Sequence, residues 1–136
     1  MSQQPPEDML RAARSIISNA YCPYSNYPVA ACIKTNDGTL FSATNVENAA
    51  YNLCSCAETN AITHLASQGY RRITACLVLI KKGPPASPCG ACRQRLNEFA
   101  QSNIPVYMCS TGGEYRLQYL NDLLPLAFGP HNLETS

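Results

Sequence analysis

Cys56-Ala57-Glu58 and Pro88-Cys89-Gly90-Ala91-Cys92 place three thiols and one carboxylate in two short segments. Thiolates are soft donors suited to zinc, and three of them leave a four-coordinate ion one ligand short of closure. An open position separates a catalytic zinc centre from a structural one. Water at such a position ionises near neutral pH and becomes a nucleophile. Glu58 is a carboxylate that can carry protons beside it. These residues point to zinc-assisted hydrolysis.

Both segments are read as helix starts, with Cys56 opening one helix and Cys89 and Cys92 opening another. A helix start offers free N–H groups and a partial positive charge, which favours thiolate over thiol. Each dipole contributes only about 0.3–1 kcal/mol, so it assists a metal site and does not create one. Residues two apart on a helix face different ways. Cys56 and Glu58 therefore serve one pocket only if the helix meets that pocket end-on. Glu58 would also be a favourable first-turn charge in any helix.

A closed, structural zinc site competes with this reading. Cys54 is a possible fourth ligand, although a one-residue gap to Cys56 is tighter than the usual two to four. His64 lies about 12 Å along the helix axis from Cys56, too far to share an ion with it. His131 lies in the C-terminal tail. Both histidines are read as non-ligands.

The net charge of +1 argues against a nucleic-acid binder, because backbone recognition needs many cations on one face. Arg71-Arg72 and Lys81-Lys82 are isolated pairs. The eight cysteines would suggest a disulfide framework in a secreted chain. The first eight residues, however, have neither the charged nor the apolar region of a secretory leader. Removing the three ligand candidates leaves an odd set: Cys22, Cys32, Cys54, Cys76 and Cys109. Cys32, Cys76 and Cys109 sit in apolar runs and read as small buried hydrophobes. A reducing cytoplasm is expected. The apolar run Ala75 to Ile80 is far too short to span a membrane.

The elements that must carry these residues can be read from periodicity. Met9, Leu10, Ala13, Ile16, Ile17 and Ala20 recur at helical spacing. Val29 to Ile33 and Leu40 to Ala43 flank Asn36-Asp37-Gly38 and read as a β-hairpin. Asn45 to Leu53 reads as an irregular polar segment. Cys56 to Ser67 is a predicted helix with Ala57, Ala61, Ile62 and Leu65 inward and Gly69 as its stop. Ala75 to Ile80 is a predicted buried strand and Cys89 to Ala100 a helix. Pro105 to Cys109 and Tyr115 to Leu117 are predicted strands, and Leu120 to Leu124 a short helix ended by Pro125. Residues 1–136 are read as one domain. The fold class expected is α/β, a three-layer α/β/α arrangement around a mixed sheet of about five strands.

With these motifs in order, the chain resembles the cytidine deaminases of the small, homotetrameric class. The resemblance runs through Pro23-Tyr24-Ser25-Asn26-Tyr27-Pro28-Val29, Asn45-Val46-Glu47-Asn48-Ala49, both cysteine segments with Ser87, Arg93 and Gln94, and Leu123-Leu124-Pro125-Leu126-Ala127-Phe128-Gly129-Pro130. It implies one Zn²⁺ per subunit on Cys56, Cys89 and Cys92, with Glu58 as the acid–base. It also implies hydrolytic deamination of cytidine and 2′-deoxycytidine in pyrimidine salvage. Asn45 and Glu47 would bind ribose hydroxyls. Tyr27 and Phe128 would pack on the pyrimidine, Phe128 from a neighbouring subunit. Tyr51 would approach a neighbour's site, and Ala57 would also contact substrate. A homotetramer with shared active sites follows from the same resemblance, with no nucleic-acid or membrane partner.

The chain departs from that pattern at Thr59, where the family often carries an arginine that offsets thiolate charge. A hydroxyl supplies one hydrogen bond and no charge, so the site is expected to be more negative. Arg93 and Gln94 are the neighbouring groups that could compensate. Tyr27 stands where Phe is commoner, and Arg95 where the family has an apolar residue. The departures at Thr59 and Tyr27 keep one alternative in view, a deaminase of a modified or antibiotic cytosine nucleoside; a further alternative, a non-catalytic zinc-stabilised module, would have four protein ligands.

Overall fold

A computed structural model describes residues 3–133. Residues 1–2 and 134–136, the ends of the domain read from sequence, lie outside the described residues. In chain order the elements are α1 (Glu7–Ile16), β1 (Val29–Thr35), β2 (Leu40–Thr44), α2 (Ala57–Ser67), β3 (Ile73–Ile80), α3 (Gly90–Phe99), β4 (Pro105–Ser110), β5 (Tyr115–Tyr119) and α4 (Leu120–Leu123). The first helix tightens into a 3₁₀ turn at Ile17–Asn19, short of the Ala20 expected from periodicity.

The strands form one mixed sheet in the order β2-β1-β3-β4-β5. Only β3 and β4 are parallel, and α3 makes the crossover between them. The other neighbours are antiparallel, with Val29 opposite Ile80. β3 is central and buried on both faces, as its unbroken apolar run requires. Its side chains alternate. Cys76 and Val78 join Ile33, Leu65, Leu96, Val106 and Met108 beneath α2 and α3. Ala75, Leu77 and Leu79 join Met9, Ala13, Cys32 and Cys109 beneath α1. Two cores back to back on one sheet give the three-layer α/β/α arrangement that the alternation of elements predicts.

The β1–β2 turn is set by Asp37 and Gly38. Asp37 Oδ1 accepts from Thr35 Oγ1 at 2.7 Å and from the Thr39 amide at 3.1 Å. Gly38 has φ +89°, a left-handed conformation that glycine adopts without a Cβ penalty. At the other end of β2, Asn60 Nδ2 donates to the Thr44 carbonyl at 2.8 Å and ties α2 to that strand. The segment between β2 and α2 is not wholly irregular: Val46 bridges Tyr21 and Ser55, and Tyr51–Leu53 is a 3₁₀ turn.

Candidate zinc centre and nucleoside pocket

Cys56 is the residue immediately before α2, and Cys89 the one immediately before α3. Cys92 follows within the first turn of α3 and is fully buried. The two helix starts converge, so the end-on approach inferred from the Cys56–Glu58 spacing is what the chain adopts. The three sulfurs all lie within 4.8 Å of one another, and Cys56 Sγ is 3.9 Å from Cys89 Sγ. Tetrahedral zinc with bonds of about 2.3 Å would hold sulfurs about 3.8 Å apart. Donor type and spacing both fit zinc. Among the described residues no other His, Cys, Asp or Glu joins this cluster.

The rival ligands are accounted for. Cys54 is turned to Asn48, whose amide donates to its sulfur at 3.3 Å. His64 stacks edge-on against Phe41, ring centroids 5.0 Å apart. With Cys54 and His64 both engaged elsewhere, the described residues offer a metal ion three clustered sulfurs.

Glu58 is in the first turn of α2 and 5% exposed. Burial pushes its carboxyl above the ordinary range, opposed by its own backbone amide and by the Cys92 thiol. The contact with Cys92 holds the Cys56 thiol below its usual range, against burial. The same contact, with burial, pushes Cys92 well up. Zinc requires all three as thiolates, so its binding expels the protons that this hydrogen-bonded set otherwise keeps.

Beside the sulfurs lies a cavity of about 240 Å³. Its walls include Tyr27, Asn45, Glu47, Cys56, Ala57 and Glu58. Val29, Val78 and Ile80 close its base, at the carboxyl end of β3. Open α/β sheets place ligands at the carboxyl ends of their parallel strands, where helix N-termini also point.

The other residues singled out from sequence fall into distinct places. Asn45 is committed to the backbone: its Oδ1 accepts from the Val29 amide at 3.0 Å and its Nδ2 donates to the Tyr27 carbonyl at 2.9 Å. Glu47 Oε1 accepts from the amides of Tyr24 and Ser25, and Ser25 Oγ donates to Oε2. The Ser25 hydroxyl is the main cause holding the Glu47 carboxyl below its usual range. Tyr51 and Phe128 do not line the cavity; they are 74% and 58% exposed, and Tyr51 meets Tyr24 edge-on.

Thr59 Oγ1 lies within hydrogen-bond reach of Cys92 Sγ. Arg93 and Gln94, the neighbouring groups that could compensate, make their hydrogen bonds to other partners. Arg93 donates to the Pro88 carbonyl (2.8 Å), the Leu123 carbonyl (2.8 Å) and Ser87 Oγ (2.5 Å). Gln94 Nε2 donates to the Phe128 carbonyl at 2.8 Å. Carbonyls are stronger acceptors than thiols, and the C-terminal segment brings two of them to this helix face. Sequence reasoning assigned nothing to the Ser25 side chain, to Cys54 as a wall of the cavity, or to Ala86 and Ser87 at its rim. The first sits in the Tyr24-Ser25-Asn26-Tyr27 segment, and a hydroxyl there carries no signature of its partner.

An open three-thiolate zinc centre with a buried carboxylate, in an α/β/α fold, defines a hydrolytic zinc enzyme. Residues 3–108 match the family described as the cytidine and deoxycytidylate deaminase zinc-binding region. The chain is 37% identical over 127 residues to a cytidine deaminase of Sporosarcina psychrophila, covering 93% of each chain. It is also 37% identical to a cytidine deaminase of Mycobacterium tuberculosis, covering 93% of this chain and 92% of that one. The crystal structure of a cytidine deaminase from Burkholderia pseudomallei superposes with a TM-score of 0.85 at 39% identity, covering 92% of this chain and all of that one. The chain belongs to the zinc-dependent cytidine and deoxycytidylate deaminase family.

Proposed function

We propose that this protein hydrolyses cytidine and 2′-deoxycytidine to uridine and 2′-deoxyuridine, releasing ammonia. The observation that carries the reading is the buried Glu58 beside an open three-sulfur corner, in a cavity with room for a base. Zinc on Cys56, Cys89 and Cys92 supplies the Lewis acidity that makes water nucleophilic near neutral pH. Glu58 accepts the proton of the attacking water and delivers one to N3 of the pyrimidine. Again a carboxylate, it takes the proton of the new C4 hydroxyl and passes it to the amino group, so that ammonia leaves as the C4–N bond breaks and the C4 carbonyl forms. Its raised pKa suits it to holding a proton between those steps. Ala57, Tyr27 and the β3 side chains give the base a largely apolar seat.

Glu47 and Asn45 are assigned to the ribose hydroxyls. Each already has backbone partners, and each retains a lone pair or proton for a ligand. Phe128 and Tyr51 are assigned to a neighbouring subunit's site. Their exposure outside this chain's own cavity supports that reading, which requires an assembly, a homotetramer on the resemblance. The same reading takes residues 1–136 as a single deaminase domain acting in cytoplasmic pyrimidine salvage. Eight unpaired cysteines are compatible with a reducing compartment, and among the described residues no helix is long and apolar enough to cross a membrane.

The test is ammonia release from a panel of nucleosides, with zinc quantified in the same sample. Zinc-loaded protein should deaminate cytidine and 2′-deoxycytidine. Loaded protein inert toward both would overturn the proposal.

A further inference from the structure

Ser25 is exposed, lies outside the cavity wall, and yet touches two residues assigned to the substrate. Its Oγ accepts from the Tyr27 amide at 3.1 Å and donates to Glu47 Oε2. A hydroxyl has one proton. With the Tyr27 N–H occupying a lone pair, that proton is directed at the carboxylate. The amides of Tyr24 and Ser25 hold the other oxygen at 3.0 and 3.1 Å. Asn26, at φ +58°, stands between the two amides that bond Glu47 and the Tyr27 amide that bonds Ser25. Asparagine is among the few residues that tolerate this conformation. Glu47 therefore sits at the cavity wall with both oxygens held by one short loop.

We infer that Ser25 is a positioning residue: its hydroxyl fixes the Glu47 carboxylate in the orientation that accepts hydrogen bonds from the ribose. The inference rests on the assignment of Glu47 to the ribose, made above. Without the Oε2 contact, Glu47 keeps only the two amides on Oε1 and its second oxygen is free to swing. A ribose hydroxyl would then meet a carboxylate whose orientation must be fixed on binding, an entropic cost borne by substrate affinity. Chemistry at C4 lies elsewhere in the cavity and is untouched, so the effect falls on KM.

The test is steady-state kinetics of zinc-loaded, full-length protein on cytidine and on 2′,3′-dideoxycytidine, which lacks both ring hydroxyls. Ser25→Ala should raise KM for cytidine by about tenfold, in line with one lost hydrogen bond to a charged group, with kcat within about twofold. KM for the dideoxy compound should stay within about twofold, because that substrate never used the interaction. Ser25→Thr restores the hydroxyl and should recover most of the affinity, whereas Ser25→Val, of the same shape, should not. Glu47→Gln separates the two levels of the argument. If Glu47→Gln erases the preference for cytidine over the dideoxy compound and Ser25→Ala does not weaken it, the Ser25 inference is wrong and the Glu47 assignment stands. If Glu47→Gln leaves the preference intact, both are wrong. Equal losses on the two substrates in Ser25→Ala would mean that the loop has merely come loose, and would also overturn the inference.

Discussion

Thr59 Oγ1 stands 3.5 Å from Cys92 Sγ, so the residue that follows Glu58 touches the most buried of the three sulfurs. In this chain a neutral hydroxyl occupies the position next to Glu58, and neither Arg93 nor Gln94 turns toward the sulfurs. The hydrogen bond from Thr59 is the direct support that the thiolate set receives from this helix. Thr59→Val keeps the shape and removes the donor. It should weaken zinc binding by about tenfold, the lower end of what outer-shell partners of metal ligands usually contribute. Competition against a chromogenic chelator measures this. Unchanged affinity would show that the hydroxyl is only packed against the sulfur. Thr59→Arg should tighten binding, because it adds the opposing charge.

Glu58→Gln tests the division of labour between metal and carboxylate. The amide is nearly isosteric and cannot carry a proton between water and substrate. Turnover should fall by about a hundredfold to ten-thousandfold, the usual contribution of a positioned acid–base. Zinc content by metal analysis should be unchanged, because Glu58 is not among the clustered ligand atoms. Loss of metal together with activity would instead make Glu58 part of the zinc scaffold.

Much of this site was legible in the sequence because local rules fix it. Cys56 and Cys89 stand where helices begin, and a helix start has one geometry, so the placement of the cysteines followed from periodicity and spacing. The sheet followed from the uninterrupted apolar run 75–80 and the Asn36-Asp37-Gly38 turn. What stayed hidden were side chains whose partners are distant in sequence. Arg93 lies beside a ligand but bonds to Leu123, thirty residues on, and Gln94 to Phe128. Asn45 looks like a ligand-binding amide and also staples Tyr27 and Val29. Ser25 has no periodic signature, and its contact with Glu47 spans twenty-two positions. Polar side chains choose among many acceptors by three-dimensional proximity, which spacing along the chain does not encode.

Arg93 joins the loop that carries Cys89 to the segment that carries Phe128. Its guanidinium holds Ser87 and Pro88 on one side and the end of α4 on the other. Arg93→Met retains the stem and removes every donor. Because the group is only partly buried, water replaces some of what is lost, and the cost should be about 1–3 kcal/mol in urea unfolding. The local readout is hydrogen exchange at the Leu124 amide, which bonds Leu120 at 2.8 Å and should lose protection as the segment loosens. Unaltered exchange there would mean that Gln94 and Asn97, which both donate to the Phe128 carbonyl, suffice to hold the C-terminal segment.

Asp37 gives the fold a measurable acid limit far from the zinc centre. Hydrogen bonds from Thr35 Oγ1, then from the Thr39 amide, lower its pKa from 3.8 to about 2. These donors favour the carboxylate, so the folded state binds this proton less readily than the unfolded chain does. Above the unfolded value the stabilisation is fully present. As pH falls below that value the unfolded chain takes up the proton first, and stability declines until the folded group also titrates near pH 2. Asp37→Asn keeps an acceptor for both donors and removes the titration. Its thermal midpoint should therefore fall less steeply than that of the parent between about pH 4 and pH 2, while at neutral pH it should be the less stable of the two. Parallel curves across that interval would show that the turn gains nothing from the charge of Asp37. In that case Gly38, with its left-handed backbone, would set the hairpin by conformation alone.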